Sequence, residues 1–307
     1  MDAAHLRLLR ELGDRGSVAA VAAALHISAS AVSQQLAHLQ ARVPVPLTVR
    51  RGRVLTLTAA GEALAAAGTR VDEALTAARE AVGAFLDSND RPVRVSAFHS
   101  AGLALFGALL RELDGIPPLH LSDADVAHSD FPGLTADHDL VIAHRLSHDA
   151  PWPADRVVAT PLLTEPLDIA LPAAHPLAAR EFLIADDLAD ERWVSVHPGF
   201  PLAGLLDHLA AHLGRPLDIA HRINEFSVTA EVVRAGAAIA VLPRTTGLPL
   251  AVDGLVLRPL ADVALVRHVD ALARPDALAY AAVRRVLGAL RAVAGRATEA
   301  AGEPRSH

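Results

Sequence analysis

The stretch GSVAAVAAALHISASAVSQQLAHLQARVPVPLTVRRGRVLTLTAAGEAL, Gly16 to Leu64, carries two helical patterns followed by a hairpin pattern. Val18, Val21 and Leu25 recur at helical spacing, the turn His26-Ile27-Ser28 follows, and Val32, Leu36, Leu39 and Val43 then mark one face of a second helix. The opposite face presents Ser30, Ser33, Gln34 and Ala37, with Ser28 at its start. Two helices joined by a short turn, the second bearing small polar groups near its N-terminus, form the arrangement by which base edges are approached in a DNA major groove. Next, Arg50, Arg51 and Arg53 flank Gly52, and Val54-Leu55-Thr56-Leu57 reads as a returning strand. Arginines on such a hairpin can reach phosphates or a narrow minor groove.

Charge supports the same reading. Residues 1 to 60 hold seven Arg against three acidic residues, whereas the remaining chain holds 21 Arg against 32. A basic module on an acidic body binds DNA through one face and discourages contact elsewhere.

In order and spacing, Gly16 to Leu64 resembles the DNA-binding domain of LysR-type transcriptional regulators. The resemblance lies in the Gly-Ser opening, the Ala-rich helix ending Leu25-His26-Ile27-Ser28, the Ala31-Val32-Ser33-Gln34-Gln35-Leu36 core and the closing Leu57-Thr58-Ala59-Ala60-Gly61. Ala29 and Ser30 stand where many members have Gln followed by Pro or Ser, Gln40 replaces a frequent Glu, and Thr48 stands where Phe is usual. With no Gln at position 29, base readout falls to Ser30, Ser33 and Gln34, and the operator sequence does not carry over. The resemblance implies a cytoplasmic, non-enzymatic regulator, a homodimer or a homotetramer built as a dimer of dimers. Its partners would be double-stranded operator or promoter DNA, a small-molecule effector and RNA polymerase, and it would control a neighbouring gene or its own promoter.

Beyond Gly61 the chain runs to about Asp87 without Pro, and Leu64, Gly68, Val71, Leu75, Ala78, Val82 and Phe85 alternate by four and three residues. Such a seam must be covered, either by the same helix of a second copy or by the chain's own winged domain. The resemblance favours a dimerising linker helix, and two recognition helices then call for half-sites about 10 base pairs apart. Ser88-Asn89-Asp90-Arg91-Pro92 supplies the breakers of a hinge. The expected divisions are a winged helix-turn-helix over 1–61, a linker helix and hinge over 62–90, and an effector-binding domain over 91–300.

Composition bounds the remainder. At 307 residues, 52% of them hydrophobic, the chain can bury two or three cores. Cysteine is absent, which excludes a disulfide framework or thiolate metal site and suits a reducing cytoplasm. No apolar run reaches bilayer length, and MDAAHLRLLREL reads as a charged amphipathic helix rather than a signal peptide. Lysine is also absent, all positive charge being Arg.

From Pro92 onward, strand patterns at Val93–Phe98, Leu119–Asp123, Leu140–Ala143, Leu167–Leu171, Trp193–Val196 and Ile239–Leu242 alternate with helical ones at Ala101–Leu113, Leu202–Leu213 and Val228–Ala235. Alternation of this kind predicts α/β layers with mainly parallel strands. The fold class is thus multidomain: a mainly-α winged helix-turn-helix with a long linker helix, then a two-lobed α/β domain. The segments LTEPLDIALPAAHPLA and EFSVTAEVVRAGAAIAVLP resemble the second lobe of the family's periplasmic-binding-protein-like domain, implying lobes at about 91–162 with 267–296 and at about 163–266.

Doubly wound lobes place ligands at the carboxyl ends of strands, beside helix N-termini. The residues so placed are His99 and Ser100, His144 and Arg145, His197, and Ser227 with Thr229. Ser100 and Ser227 also suit helix N-caps, and the set as a whole suits a small anion such as a carboxylate. No cofactor is expected. His208 and His212 lie four apart, as do His144 and His148, but neither pair has a third ligand at motif spacing, so no metal site is assigned. A Gly-x-Ser-x-Gly elbow, a phosphate loop and a dinucleotide fingerprint are all missing, which speaks against catalysis. The alternatives are a cytoplasmic small-molecule-binding protein or an α/β enzyme with an accessory DNA-binding domain.

Overall fold

A computed structural model describes residues 1–51, 54–83, 91–250 and 254–302. Helix α1 (Ala3–Arg15) begins where the Asp2 carboxylate accepts the His5 amide hydrogen and stops at Gly16, whose φ of 67° suits only glycine without strain. Ser17 caps α2 (Val18–Leu25), and Ser28 caps α3 (Ala29–Gln40) by accepting from the Ala31 amide at 3.1 Å. Leu8, Leu9, Leu12, Val21, Val32, Leu36, Leu39 and Leu47 form the core among these helices. The Gln40 carboxamide donates to the Val43 and Val45 carbonyls and accepts from the Leu47 amide at 2.8 Å, fixing the loop that leads to the hairpin. A glutamate here could not make those donations. Strands β1 (Thr48–Arg51) and β2 (Val54–Leu57) pair antiparallel, with Arg51 opposite Val54. Gly52 and Arg53 lie outside the described residues.

Helix α4 (Ala59–Gly83) is about 37 Å long and starts against the hairpin. A Cβ on Gly61 would lie 2.1 Å from the Leu47 carbonyl oxygen, so only glycine admits this approach. The expected seam divides between two faces. Gly68, with Ala65, Thr69, Asp72 and Thr76, is buried where α4 meets α1 and α9 (Pro275–Leu278), and a Cβ on Gly68 would lie 2.9 Å from that of Leu6. Val71, Leu75 and Ala78 remain exposed. Phe85 and the hinge residues Ser88 to Asp90 lie outside the described residues, as does the Val82 side chain.

From residue 91 onward come β3 (Val93–Ala97), α5 (His99–Leu113), β4 (Leu119–Asp123), α6 (Phe131–Leu134) and β5 (Leu140–Leu146), then β6 (Val158–Pro172). They are followed by β7 (Arg192–Ser195), α7 (Gly204–Leu213), β8 (Asp218–Arg222), α8 (Phe226–Arg234), β9 (Ile239–Pro243), β10 (Leu255–Arg258), β11 (Val266–Ala273), α9 and α10 (Ala281–Gly302). Strand order is β4-β3-β5-β11-β6-β9-β7-β8, with β10 also on β6. The mainly parallel sheet expected from the sequence is instead mixed. β3, β4 and β5 form one parallel set and β7, β8 and β9 another, while β6, β10 and β11 run antiparallel to their neighbours.

Two lobes result, each with its own core: Leu105, Leu109, Phe131, Ile142, Val286 and Leu290 in the first, Ile169, Leu171, Trp193, Leu206 and Leu209 in the second. β6 runs from the first lobe into the second and β11 returns beside it. The sequence pattern shows only the second half of β6, because Pro161 and Pro166 interrupt the first half and neither can donate to a ladder. Pro161 stands opposite Asp270, next to an irregularity in the register. Among the described residues no helix is long and apolar enough to cross a membrane.

The winged domain meets the first lobe through ions rather than apolar side chains. Glu11 and Asp14 of α1 accept from Arg274, the first at 3.0 Å; Arg156 reaches Asp14 at 2.7 Å, and Arg15 reaches Asp137 at 2.8 Å.

Candidate nucleic-acid interface and interlobe cleft

The inner face of α3 is locked by Val32, Leu36 and Leu39, which leaves Ser30, Ser33, Gln34 and Ala37 exposed on the outer face. Three of the expected base-reading hydroxyls are already engaged. Ser28 holds its cap and shares a 2.8 Å hydrogen bond with Ser30, and Ser33 donates to the Ala29 carbonyl at 3.0 Å. Their remaining capacity is mainly to accept. Gln34 makes no hydrogen bond among the described residues, so its amide keeps both donor and acceptor functions. Arg50 is exposed on β1, Arg51 follows in the strand, and Arg53 lies outside the described residues.

Between the two lobes, the carboxyl ends of β3, β4 and β7 converge with the N-termini of α5 and α8. The cleft between the lobes is lined by Phe98, His99, Ser100, Asp125 and His144 on one side, Val196, Phe200, Leu202, Glu225 and Phe226 on the other, and Arg267 at the back. Its free volume is about 20 Å³, room for about one water. His99 bridges the mouth, with Nε2 2.6 Å from Asp123 of the first lobe and Nδ1 2.8 Å from Glu225 of the second. The back wall is a cross-strand pair at the point where the chain passes between lobes: Arg267 donates to Glu165 at 2.6 Å, and both are fully buried. Ser100 accepts from Arg267 at 3.0 Å, Thr246 donates to Glu165, and the Thr245 and Thr246 amides close on the other carboxylate oxygen.

Of the residues nominated from sequence, His99, Ser100 and His144 line this cleft. Ser100 does so without capping α5, whose N-cap, Phe98, makes no side-chain hydrogen bond. Arg145 is not part of the lining. It follows His144 within β5, so its side chain leaves the opposite face, where it donates to Asp270 at 3.0 Å. His197 is exposed, its amide bonded to Asn224, and α7 begins seven residues later, at Gly204. Ser227 is not the cap of α8. That position belongs to Glu225, whose carboxylate accepts from the Ser227 amide and hydroxyl, both at 3.1 Å. Thr229 is buried against a neighbouring space of similar size in the second lobe, and its hydroxyl has no partner among the described residues.

Sequence reasoning missed Asp125, Glu225, Glu165 and Arg267. The first two follow or precede recognised elements and were within reach of a strand-end argument. The buried pair was not, because Arg267 and Asp270 give β11 a polar pattern unlike a core strand. Burial raises the Asp125 carboxyl to about 6, with Glu225 adding to the effect and His99 opposing it. Burial, helped by Arg267, holds His144 well below 6.5, so that its imidazole is neutral. Among the described residues no three His, Asp or Glu side chains are arranged to hold a metal.

Residues 3–62 match the family described as bacterial regulatory helix-turn-helix protein, lysR family, and residues 87–295 match the LysR substrate binding domain. The chain is 25% identical over 251 residues to the uncharacterized HTH-type transcriptional regulator YybE of Bacillus subtilis, covering 81% of this chain and 84% of that one. Full-length OxyR from Pseudomonas aeruginosa has a similar fold, with a TM-score of 0.68 and 21% identity over 96% of this chain and 94% of that one. Full-length CbnR in complex with its target DNA is similar with a TM-score of 0.52 and 20% identity, covering 95% of this chain and all (100%) of the other.

Proposed function

This chain belongs to the LysR family of DNA-binding transcriptional regulators, and from that premise we propose that Gln34 on α3 reads its operator while Arg50, with Arg51 and Arg53, holds the DNA backbone. The observation that carries this reading is an exposed, unengaged Gln34 on a helix whose inner face is fixed by the core. Glutamine can pair bidentately with adenine, whereas arginine on a hairpin serves phosphates or a narrow minor groove. Ser28, Ser30 and Ser33 shape the helix start and offer acceptors. The chain's relatives are regulators rather than enzymes.

A second copy covers the exposed Val71, Leu75 and Ala78 of α4, and the resulting dimer spans two half-sites. RNA polymerase is the further partner of such a complex, and the cytoplasm is where it works. A small molecule entering the interlobe cleft biases the placement of the two winged domains, by no more than its differential affinity for the two arrangements.

Fluorescence anisotropy tests the DNA assignment, using DNA from upstream of the protein's own gene against scrambled DNA across a salt series. Gln34→Ala is expected to narrow the gap between the two by about 1–3 kcal/mol. Arg50→Ala should weaken both equally and lower the salt slope by about one unit. Equal losses on both DNAs for the Gln34 variant would remove α3 as the reading element.

A further inference from the structure

The interlobe cleft carries more negative than positive charge at its mouth. Arg267 is the lining's guanidinium, and it is neutralised within the wall by Glu165. The N-terminus of α8, a natural seat for an anion, is occupied by the carboxylate of Glu225. Asp123, Asp125 and Glu225 therefore face one another with His99 between them.

Asp125 is the least satisfied of the three. It receives no hydrogen bond among the described residues, and its ion-pair partner, His99 Nδ1, is 3.8 Å away. A largely buried carboxylate without donors is costly, and a cationic donor relieves that cost. A second group directs attention to the same space. His144 is 4% exposed, lines the cleft, and has no hydrogen-bond partner for Nδ1 among the described residues. Phe98, Phe200 and Phe226 add aromatic walls; the Arg267 guanidinium already lies over the Phe98 and Phe226 rings, 4.9 and 5.9 Å from their centroids, so what the walls offer a ligand is apolar contact.

Taking this cleft as the effector site, we infer that the effector is a small protonated amine with an apolar body. Its ammonium takes the place beside Asp125 and Glu225 that the His99 ring occupies here, and because the present free space of about 20 Å³ holds only about one water, its body enters as His99 leaves and the lobes part, against Phe98 and Phe226. The small anion expected from the helix starts is disfavoured, because two of its seats already hold Glu225 and Glu165. The N-terminus of α5 and the Ser100 hydroxyl leave room for a carboxylate on the same molecule, so an amino acid meets the same requirement.

The test titrates short-chain amines, amino acids and carboxylates matched by carbon skeleton, including 3-methylbutylamine, leucine and 3-methylbutanoate, into the full-length protein at about pH 7.5, where Asp125 is ionised. Each titration is repeated on Asp125→Asn, on Glu225→Gln and on Ser100→Trp, whose indole exceeds the free space of the cleft; hydrogen-exchange protection of the two lobes in each variant shows that they are folded. Amine-bearing compounds are expected to bind, the matched carboxylates not to, and either acid substitution to weaken binding at least about tenfold. Carboxylates that bind as tightly as the amines and are lost in Ser100→Trp would overturn the charge assignment and leave the cleft as the effector site. Amine binding that survives Ser100→Trp would overturn both. Silence from every amine-bearing compound at millimolar concentration would overturn the inferred class.

Discussion

Asp125 shows how much one side chain's surroundings can change its chemistry. Burial, with Glu225 beside it, lifts the carboxyl from the ordinary 3.8 to about 6. The folded state therefore holds this proton more tightly than the unfolded chain. Asp125 contributes stability that is full below about pH 4 and lost as pH rises through about 6. The shift corresponds to at most about 3 kcal/mol, nearer 1–2 after allowing for the water that still reaches the group. Asp125→Asn is accordingly expected to raise Tm relative to the unaltered protein at about pH 8, by a few degrees, and to show no such advantage near pH 4. An equal gain at both values would mean that ionisation is not the cause. Gln34 and Ser33 were legible in the sequence because exposure on a helical face follows from periodicity alone. Asp125 was not, because its state depends first on burial in the cleft and then on charges brought to it from elsewhere in the chain, Glu225 among them.

Among the elements, α4 is where reading and structure diverge most usefully. A heptad count treats Gly68 as part of the same stripe as Val71 and Leu75, yet glycine marks a close approach and the larger side chains mark a free face. α1 takes the first, and the second stays exposed, the face proposed above for a second copy. Val71 and Leu75 are 37% and 41% exposed. Leu75→Glu should weaken self-association by about 2 kcal/mol or more, roughly thirtyfold, with unchanged helicity. Sedimentation velocity measures the first and circular dichroism the second; an unaltered mass at low concentration would place the interface elsewhere. β6 and β11 teach the complementary lesson. Prolines hide the first half of β6, and a buried ion pair hides β11, from an apolar pattern, because what satisfies them lies across the ladder.

For the molecule as a whole, the junction of winged domain and first lobe is ionic and largely buried. Arg274 is central to it, reaching Glu11 and Asp14 while Arg10 holds Asp72 at 3.1 Å close by. Removing one partner from such a cluster leaves charges uncompensated, at a cost of about 3–5 kcal/mol. Arg274→Ala should therefore loosen the winged domain from its lobe. Hydrogen exchange is expected to rise along α1 and around Asp137 while the cleft-facing strands keep their protection. No change along α1 would mean that the junction is held by other contacts.

The sequence by itself determined the winged helix-turn-helix, the long helix after it and the existence of α/β lobes. Each follows from local spacing of apolar, small and breaking residues. Only the tertiary structure decided that Arg145 leaves the cleft and Arg267 enters it, that Glu225 caps α8, and that the cleft is acidic at its mouth. Those outcomes rest on side chains far apart in the chain meeting across strands and lobes, where burial and neighbouring charge set their chemistry.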